Sequence, residues 1–403
     1  MEKQFDVIAL GELLIDFTEN GVSAQGNPIF EANPGGAPCN VLAMLNNLGK
    51  KTSFLGVVGK DQFGTSLRKT LNELKIDTSH LYENQEVHTT LAFVHTFEDG
   101  DRDFAFYRNP GADMMLSESQ VEKEYLESAK AFHFGTLSMT HEEVRKATQK
   151  AITIAKEAGM LISFDPNLRP PLWSSMELAK EQIAYGLGQC DLLKISEEEL
   201  EFMTGTKDVK EGAHKLLAEY PNLKLMNVTM GKEGSIAFHE GKEVFHAPFL
   251  QENTIETTGA GDTFGACALN YVLENGITGL SEEQLYEMLE FANGASSLIT
   301  TKKGALRVMP TKEEIINTVK AYSLLDENGN VLIARNRQRP ILIMGAPGLG
   351  KTAIMEQIAD EMGIGLVTYN MTHHTRQSAL GLPVVSEKTY GGDAYTGIQN
   401  AAA

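Results

Sequence analysis

The segment from Glu256 to Phe264 has residue types that could bind an anion and accept a proton. Its sequence reads Glu256-Thr257-Thr258-Gly259-Ala260-Gly261-Asp262-Thr263-Phe264. The small residues let backbone amides approach a ligand closely. An apolar, helix-like segment follows, so these amides cap a helix N-terminus and suit the charge of a transferring phosphoryl group. Asp262 could take the proton of an attacking hydroxyl. Taken alone, the segment also fits a tight turn in which Asp262 is only a helix cap.

A second polar segment near the start of the chain could hold a polar ligand. Gly35 and Gly36 permit close backbone approach, and Asn40 offers both a hydrogen-bond donor and an acceptor. Asp16, which follows the first predicted strand, could hold two vicinal hydroxyls. Turn and cap chemistry would explain each of these residues equally well on its own.

The elements around these segments alternate between strand and helix. Short apolar runs at 7–10, 53–58, 131–134, 161–164 and 191–193 predict buried strands. Helical spacing over 39–49 and 141–158, each closed by a glycine, predicts helices between them. Repeated β-then-α order indicates a parallel sheet covered by helices, whose ligands bind beyond the carboxyl ends of the strands.

The stretch from Thr89 to Tyr107 breaks this rhythm. It alternates like a two-sided ribbon around Glu98-Asp99-Gly100-Asp101, and Asp-Gly between two β runs is a strong hairpin signal. We interpret it as a small antiparallel sheet that forms a lid, with an ordinary surface hairpin as the alternative.

Composition narrows the classes of function. Hydrophobic residues make up 42% of the 403 residues, and the net charge is −19, which disfavours nucleic acid as the main partner. No apolar run approaches the length of a membrane span, and no secretory signal is recognisable. The three cysteines form no CxxC pair, which is typical of a reducing cytoplasm.

The motifs together resemble the ribokinase-like (PfkB) carbohydrate kinases, and in particular their fructokinase branch. The motifs that carry the resemblance are Gly35-Gly36-x-x-x-Asn40, Thr257-Thr258-Gly259-Ala260-Gly261-Asp262, Gly11-Glu12-Leu13-Leu14-Ile15-Asp16, Phe106-Tyr107-Arg108-Asn109-Pro110-Gly111-Ala112-Asp113, Phe164-Asp165-Pro166-Asn167-Leu168-Arg169 and Leu193-Lys194-Ile195-Ser196-Glu197. They occur in the right order and spacing over about residues 5–312. The resemblance implies an α/β fold with a mostly parallel sheet flanked by helices, and a lid at about 12–33 and 89–108.

The resemblance implies phosphoryl transfer from ATP to a sugar hydroxyl, with D-fructose as the first candidate. Asp262 would be the general base, and the amides of Gly259, Ala260 and Gly261 the anion hole. The residues implied to hold the sugar are Asp16, Gly35, Gly36, Asn40, Arg108, Asn167 and Arg169. The lid would close over the site and exclude water. A homodimer formed through the lid is also expected.

Further residues match the family's nucleotide and metal positions. Those implied to bind the nucleotide are Lys194, Thr229, Gly231, Gly234 and Asn293. Glu197 matches the glutamate that helps order Mg²⁺, through water. Glu256 and Thr258 match a monovalent cation site. Because Glu256 stands where the family usually has Asp, K⁺ activation is an expectation that its longer side chain leaves open.

The nature of the substrate depends on the placement of cations. Few cations accompany the sugar motifs, which favours an unphosphorylated sugar. Arg108 could instead meet a substrate carboxylate bidentately, so 2-keto-3-deoxygluconate is the alternative substrate. Either Arg108 or Arg169 could equally brace the structure. A non-catalytic nucleotide-binding protein is the competing class of function.

The last part of the chain carries a second phosphate-binding motif. After a kinase domain at 1–320 and a linker at 321–339, an apolar strand precedes Gly345-Ala346-Pro347-Gly348-Leu349-Gly350-Lys351-Thr352, which has the P-loop form. Residues 340–385 resemble the start of a MoxR-type AAA ATPase. Only 51 residues follow Thr352, and no Walker B carboxylates appear. We therefore expect 340–403 to be a truncated P-loop segment that cannot hydrolyse ATP alone.

Overall fold

A computed structural model describes residues 3–96, 102–251, 254–322, 383–390 and 393–400 of the chain. The chain divides into two compact units, Met1–Gln338 and Arg339–Ala403. The predicted linker and the second P-loop, including Gly345, Gly350, Lys351 and Thr352, lie outside the described residues. The same holds for the turn predicted at 98–101.

Fifteen strands and ten α-helices are found in the described residues. The strands are β1 (Phe5–Leu10), β2 (Leu14–Val22), β3 (Pro28–Gly35), β4 (Thr52–Gly59), β5 (Leu81–Asn84), β6 (Leu91–Thr96), β7 (Arg102–Tyr107), β8 (Ala129–Gly135), β9 (Leu161–Asp165), β10 (Leu192–Ser196), β11 (Leu225–Thr229), β12 (Ser235–His239), β13 (Lys242–His246), β14 (Pro383–Tyr390) and β15 (Asp393–Asn400). The helices are α1 (Ala37–Asn47), α2 (Gln62–Glu73), α3 (Lys123–Leu126), α4 (Glu142–Glu157), α5 (Met176–Leu187), α6 (Glu197–Thr204), α7 (Val209–Glu219), α8 (Ala260–Asn275), α9 (Glu282–Ile299) and α10 (Lys312–Tyr322).

A nine-stranded sheet forms the centre of the first unit. Its order is β13-β12-β11-β10-β9-β8-β1-β4-β5, and only the β11–β12 and β12–β13 pairings are antiparallel. Successive residues of β1 point to opposite faces, so Ile8 and Leu10 join one hydrophobic core while Val7 and Ala9 join the other. Helices α4 to α7 cover the first face, and α1, α2, α8, α9 and α10 cover the second. The predicted mostly parallel α/β fold is therefore confirmed.

A four-stranded sheet, which we call the lid sheet, has the order β3-β2-β6-β7. The predicted hairpin is present as β6 and β7, which pair antiparallel. The sheet is not wholly antiparallel, because β2 and β6 run parallel at its centre. Asp16 lies on β2 and Gly35 ends β3, so this sheet carries part of the early polar segment.

Local sequence explains where the helices begin and end. Helix α1 starts two residues earlier than the spacing predicted, since Pro38 is favourable in a first turn where no amide partner is needed. Gly49 and Gly159, which follow α1 and α4, have φ values of +84° and +65°. No described helix is both long and apolar enough to cross a lipid bilayer. In the second unit, β14 and β15 form an antiparallel pair.

Candidate active site

A cavity of about 310 Å³, which we call the first cavity, opens at the carboxyl ends of the central strands. Its lining residues are Glu12, Leu14, Asp16, Gly36, Ala37, Asn40, Phe106, Leu137, Asn167, Arg169, Lys194, Thr257, Thr258, Gly259, Gly261 and Asp262. Residues from the lid sheet, from α1 and from the start of α8 thus meet in one place. The early and late polar segments therefore converge in the fold.

The start of α8 has the geometry of an anion site. Gly259 caps the helix with a φ of +79°, and a side chain there would also lie 2.9 Å from Ala305 Cβ. Ala260 and Gly261 form the first turn, where amides precede the regular hydrogen bonds of the helix, and the Ala260 amide donates to the Thr257 carbonyl over 3.2 Å. Asp262 follows in the same turn with its carboxylate in the cavity.

Asp262 is held by the other polar segment. Asn40 donates from Nδ2 to Asp262 Oδ2 over 2.8 Å, across 222 positions of the chain. Burial, with repulsion from the Asp165 carboxylate, raises the pKa of Asp262 to about 6, although Asn40, Lys194 and Arg169 oppose the rise. The carboxyl group is therefore ionised at neutral pH yet able to accept a proton, as a general base requires.

Asn40 also keeps an acceptor for a ligand. It is 4% exposed, and its Oδ1 atom has no hydrogen-bond partner within the described part of the chain. A buried amide oxygen without a partner is costly. A hydroxyl of a bound ligand in the first cavity would satisfy it.

The paired glycines are required by close packing around two acidic residues. A methyl group on Gly35 would overlap Asp16 Oδ2, and one on Gly36 would overlap the Glu12 carbonyl oxygen. Gly36 reaches the cavity wall, whereas Gly35 lies behind it against Asp16. Burial, and next the Glu256 carboxylate, raise the pKa of Asp16 to about 7. Asp16 can thus accept hydrogen bonds from hydroxyl groups of a ligand in the first cavity.

Glu12 is a further carboxylate that the motifs alone did not single out. It is 4% exposed, and its Oε1 atom accepts a hydrogen bond from the Ala37 amide over 2.8 Å. Burial raises the pKa of Glu12 to about 7. Its place within a motif of the early segment is a signal that could have identified it.

Lys194 lies in the first cavity rather than among the nucleotide-loop residues. Its Nζ atom is 3.1 Å from Asp165 Oδ2, and only 11% of the Lys194 side chain is exposed. Burial alone would lower the pKa of Lys194, but Asp165, Glu199 and Asp262 raise it above its ordinary value. A buried ammonium group therefore stands beside Asp262 and Gly261.

A second cavity, of about 300 Å³, lies on the other side of the α8 N-terminus. Its lining residues are Thr229, Gly231, Lys232, Gly234, Pro248, Phe249, Leu250, Gln251, Thr254, Thr257, Ala260, Gly261, Phe264, Asn293, Ser296, Ser297 and Thr300. It therefore brings together four of the predicted nucleotide residues. Asn293 is fixed there by hydrogen bonds with Ser235 and His246.

The two cavities share Thr257 and Gly261. The amides at the start of α8 thus stand between them. A group passing from a ligand in one cavity to a ligand in the other would cross these amides beside Asp262.

The predicted metal residues are placed differently from one another. Glu197 begins α6 outside both cavities, and burial, together with the charges of Glu198 and Glu233, raises its pKa. Glu256 is buried, with Oε1 accepting from Thr258 Oγ1 and Oε2 from the Gly304 amide. In the part of the chain described, no three His, Cys, Asp or Glu side chains converge as a metal site.

Arg108 does not line either cavity. Its Nε atom donates to Asp113 Oδ2 over 2.8 Å, Nη1 to Thr140 Oγ1 over 2.8 Å and Nη2 to the Leu137 carbonyl over 3.0 Å. Arg108 is 5% exposed and thus braces the segment after β7. Arg169 and Asn167, in contrast, line the first cavity.

Comparison with known proteins identifies the family to which this chain belongs. The profile of the pfkB family carbohydrate kinases matches residues 4–312. A probable fructokinase-2 from Arabidopsis thaliana is 42% identical over 320 residues, which cover 78% of this chain and 95% of that protein. A fructokinase from Xylella fastidiosa solved with bound ATP has a TM-score of 0.72 at 27% identity, covering 79% of this chain and 99% of that one. A fructokinase double mutant from Vibrio cholerae, solved with fructose, ADP and a potassium ion, has a TM-score of 0.69 at 28% identity over 79% of this chain and 100% of that one. The chain belongs to the pfkB family of carbohydrate kinases.

Proposed function

We propose that the chain is a fructokinase, which transfers the γ-phosphoryl group of ATP to D-fructose and yields fructose 6-phosphate and ADP. The observation that carries the proposal is the placement of Asp262 and the α8 amides between two cavities. The first cavity is rich in polar groups that suit sugar hydroxyls, and the second is lined largely by apolar and small residues that suit a nucleotide base and ribose. The fructokinase relatives and structures point to the same substrates.

The reaction follows from the positions of these groups. Asp16 accepts hydrogen bonds from sugar hydroxyls, and Asn40 Oδ1 receives another. Asp262 takes the proton of the hydroxyl whose oxygen attacks the γ-phosphorus, and the bond from that phosphorus to the bridging oxygen breaks. The amides of Gly259, Ala260 and Gly261 stabilise the negative charge that develops during transfer.

The charges of the first cavity favour an unphosphorylated, neutral sugar. Its lining includes two cations, Arg169 and Lys194, against the carboxylates of Glu12, Asp16 and Asp262. Lys194 is already paired with Asp165. The phosphate of a phosphorylated sugar, or the carboxylate of 2-keto-3-deoxygluconate, would add negative charge beside the Asp262 carboxylate, and Arg108 is engaged elsewhere.

Magnesium is the proposed divalent partner of ATP. Glu197 is a single carboxylate at the start of α6, and one carboxylate that binds through water fits a hard cation that keeps several of its own waters. When bound, Mg²⁺ would neutralise charge on the nucleotide phosphates. Glu197, which lines neither cavity, would hold it through bridging water.

A monovalent cation near Glu256 and Thr258 is proposed as K⁺. The donors there are oxygen atoms, and the Glu256 carboxylate is anchored to the Thr258 hydroxyl and the Gly304 amide. The Vibrio cholerae fructokinase was solved with a potassium ion. Comparing turnover in K⁺ with turnover in Na⁺ at equal ionic strength tests this site.

We further propose a homodimer formed through the lid sheet and a cytoplasmic location. Phe30, Phe93 and Tyr107 form an aromatic row on one face of the lid sheet, with Tyr107 66% exposed. Light scattering of the parent protein and of Tyr107→Glu would test the dimer.

The cytoplasmic location is proposed from the cysteines, because all three are free thiols, which fits a reducing compartment.

A substrate panel tests the proposed function. Purified protein with ATP and Mg²⁺ should phosphorylate fructose with a higher kcat/KM than 2-keto-3-deoxygluconate, ribose or adenosine. A higher kcat/KM for 2-keto-3-deoxygluconate would identify the keto acid, rather than fructose, as the substrate. ATP binding without turnover of any sugar would favour a non-catalytic nucleotide-binding protein.

A further inference from the structure

We propose that Asp165 is the positioning residue for Lys194, and that it holds the ammonium group of Lys194 against the anion hole where the phosphoryl group passes. The inference rests on the kinase activity proposed above. It assigns a role to Asp165, whose side chain lies behind the first cavity.

The two side chains form a buried ion pair on neighbouring strands. Asp165 ends β9 and Lys194 lies in β10, and these strands pair in parallel. Lys194 Nζ lies 3.1 Å from Asp165 Oδ2 and 3.3 Å from Asp165 Oδ1. The side chains are 11% and 5% exposed, so either charge alone would be buried without compensation.

The ammonium group is aimed at the backbone of the anion hole. A methyl group added to Gly261 would lie 2.8 Å from Lys194 Nζ, so the ammonium rests against that residue. Gly261 lines both cavities. A phosphoryl group that reaches Gly261 would therefore meet both the α8 amides and the ammonium group of Lys194.

The other carboxylates near Lys194 have different partners. Glu199 accepts hydrogen bonds from the amides of Leu168 and Ser196, and Asp262 accepts one from Asn40. Asp165 Oδ1 also accepts from the Asn167 amide over 3.2 Å, but both Asp165 oxygens lie within 3.3 Å of Nζ. A lysine side chain has four rotatable bonds, and without this partner its ammonium would not be held in one place.

A double-mutant cycle separates this role from a merely structural one. The variants are Asp165→Asn, Lys194→Met and the pair together, assayed for kcat and for KM of fructose and of ATP. We expect Asp165→Asn to lower kcat by about 10-fold or more, with both KM values within about threefold. In the Lys194→Met background the same change should alter kcat by less than about threefold, because the group it positions is gone. The proposal would be overturned if the two single changes lowered kcat independently, so that their factors multiplied in the double variant. A normal kcat in Asp165→Asn would also overturn it.

Controls cover folding and the dependence on fructose. Asp191→Asn removes the partner of Lys224, which lies 2.9 Å away at the opposite end of the sheet, and should leave kcat unchanged. If Asp165→Asn does not fold, Asp165→Glu, which keeps the charge on a longer stem, replaces it in the cycle. In crystal structures, Lys194 Nζ should lie beside Gly261 in the parent and more than about 1 Å from that position in Asp165→Asn. That comparison does not depend on which sugar is turned over, and an unmoved Nζ would refute the proposal.

Discussion

Replacing Asp262 with asparagine should remove activity and make the protein more stable. Burial and the nearby Asp165 carboxylate raise the pKa of Asp262 from 3.8 to about 6. The difference between these values corresponds to at most about 3 kcal/mol of folding free energy at neutral pH. The asparagine side chain would carry no charge and could still accept the hydrogen bond from Asn40. We expect a stability gain of about 1–3 kcal/mol, together with a loss of about 10²-fold or more in kcat.

The size of the stability effect depends on pH over a defined range. Because the folded state holds the Asp262 proton more tightly than the unfolded state, ionisation opposes folding fully above about pH 6. The penalty shrinks as the pH falls from about 6 towards 4, and it is absent below both pKa values. The advantage of Asp262→Asn should shrink over the same range. In the parent enzyme, kcat/KM should fall below about pH 6 as the base becomes protonated.

Urea unfolding midpoints of parent and variant, near pH 7.5 and near pH 4.5, measure this effect. Asp6→Asn is a control of opposite sign. Burial would raise the pKa of Asp6, but the Lys130 ammonium and the Lys51 amide hold it below its usual range. Its replacement should therefore destabilise the protein near pH 7.5. If Asp262→Asn were less stable than the parent at that pH, or equally favoured at both, the account of Asp262 as a buried ionised base would be wrong.

Three further predictions concern neighbouring parts of the chain. Gly261→Ala should lower kcat about 10-fold or more, since its methyl group would displace Lys194 Nζ; unchanged turnover would contradict the contact. Arg108→Met should destabilise the protein by about 3–5 kcal/mol, because the buried Asp113 carboxylate would lose its charged partner. In the fraction of the variant that folds, KM for fructose should stay within about twofold of the parent value. A large rise in the KM for fructose would indicate that Arg108 contacts the sugar. Ending the chain after residue 330, or Lys351→Ala, should leave fructose phosphorylation within about twofold, as measured on protein whose circular dichroism is unchanged.

The architecture was predictable because it depends on local pattern. Apolar runs followed by helical spacing and a closing glycine recur along the first unit, and the strands formed where those runs stand. The family prediction was confirmed over residues 4–312. The small sheet was also predicted, but its central parallel pairing was not, because β2 and β6 are far apart in the chain and no local signal sets their direction.

The arrangement of the site was less predictable, because it depends on contacts between distant segments. Lys194 was predicted to bind the nucleotide, but its motif did not show that its partner is Asp165 on a neighbouring strand or that it lines the first cavity. Arg108 matches a family motif, but each of its three side-chain nitrogen atoms donates to a protein partner. Glu12 lies within a recognised motif, and only the approach of the Ala37 amide shows that it reaches the cavity. Residue type and spacing identify candidates, whereas side-chain direction decides among them.

The small residues at the start of α8 meet three separate requirements. Gly259 must adopt a positive φ beside Ala305, which a side chain would obstruct. Ala260 faces the second cavity, where the nucleotide is proposed to bind. Gly261 must leave room for Lys194 Nζ on the side of the first cavity. The motif therefore does more than expose amides to an anion, because its last glycine also admits a cation to the place where charge develops. This is why Asp165, one strand away from Lys194, bears on the same chemical step as Asp262.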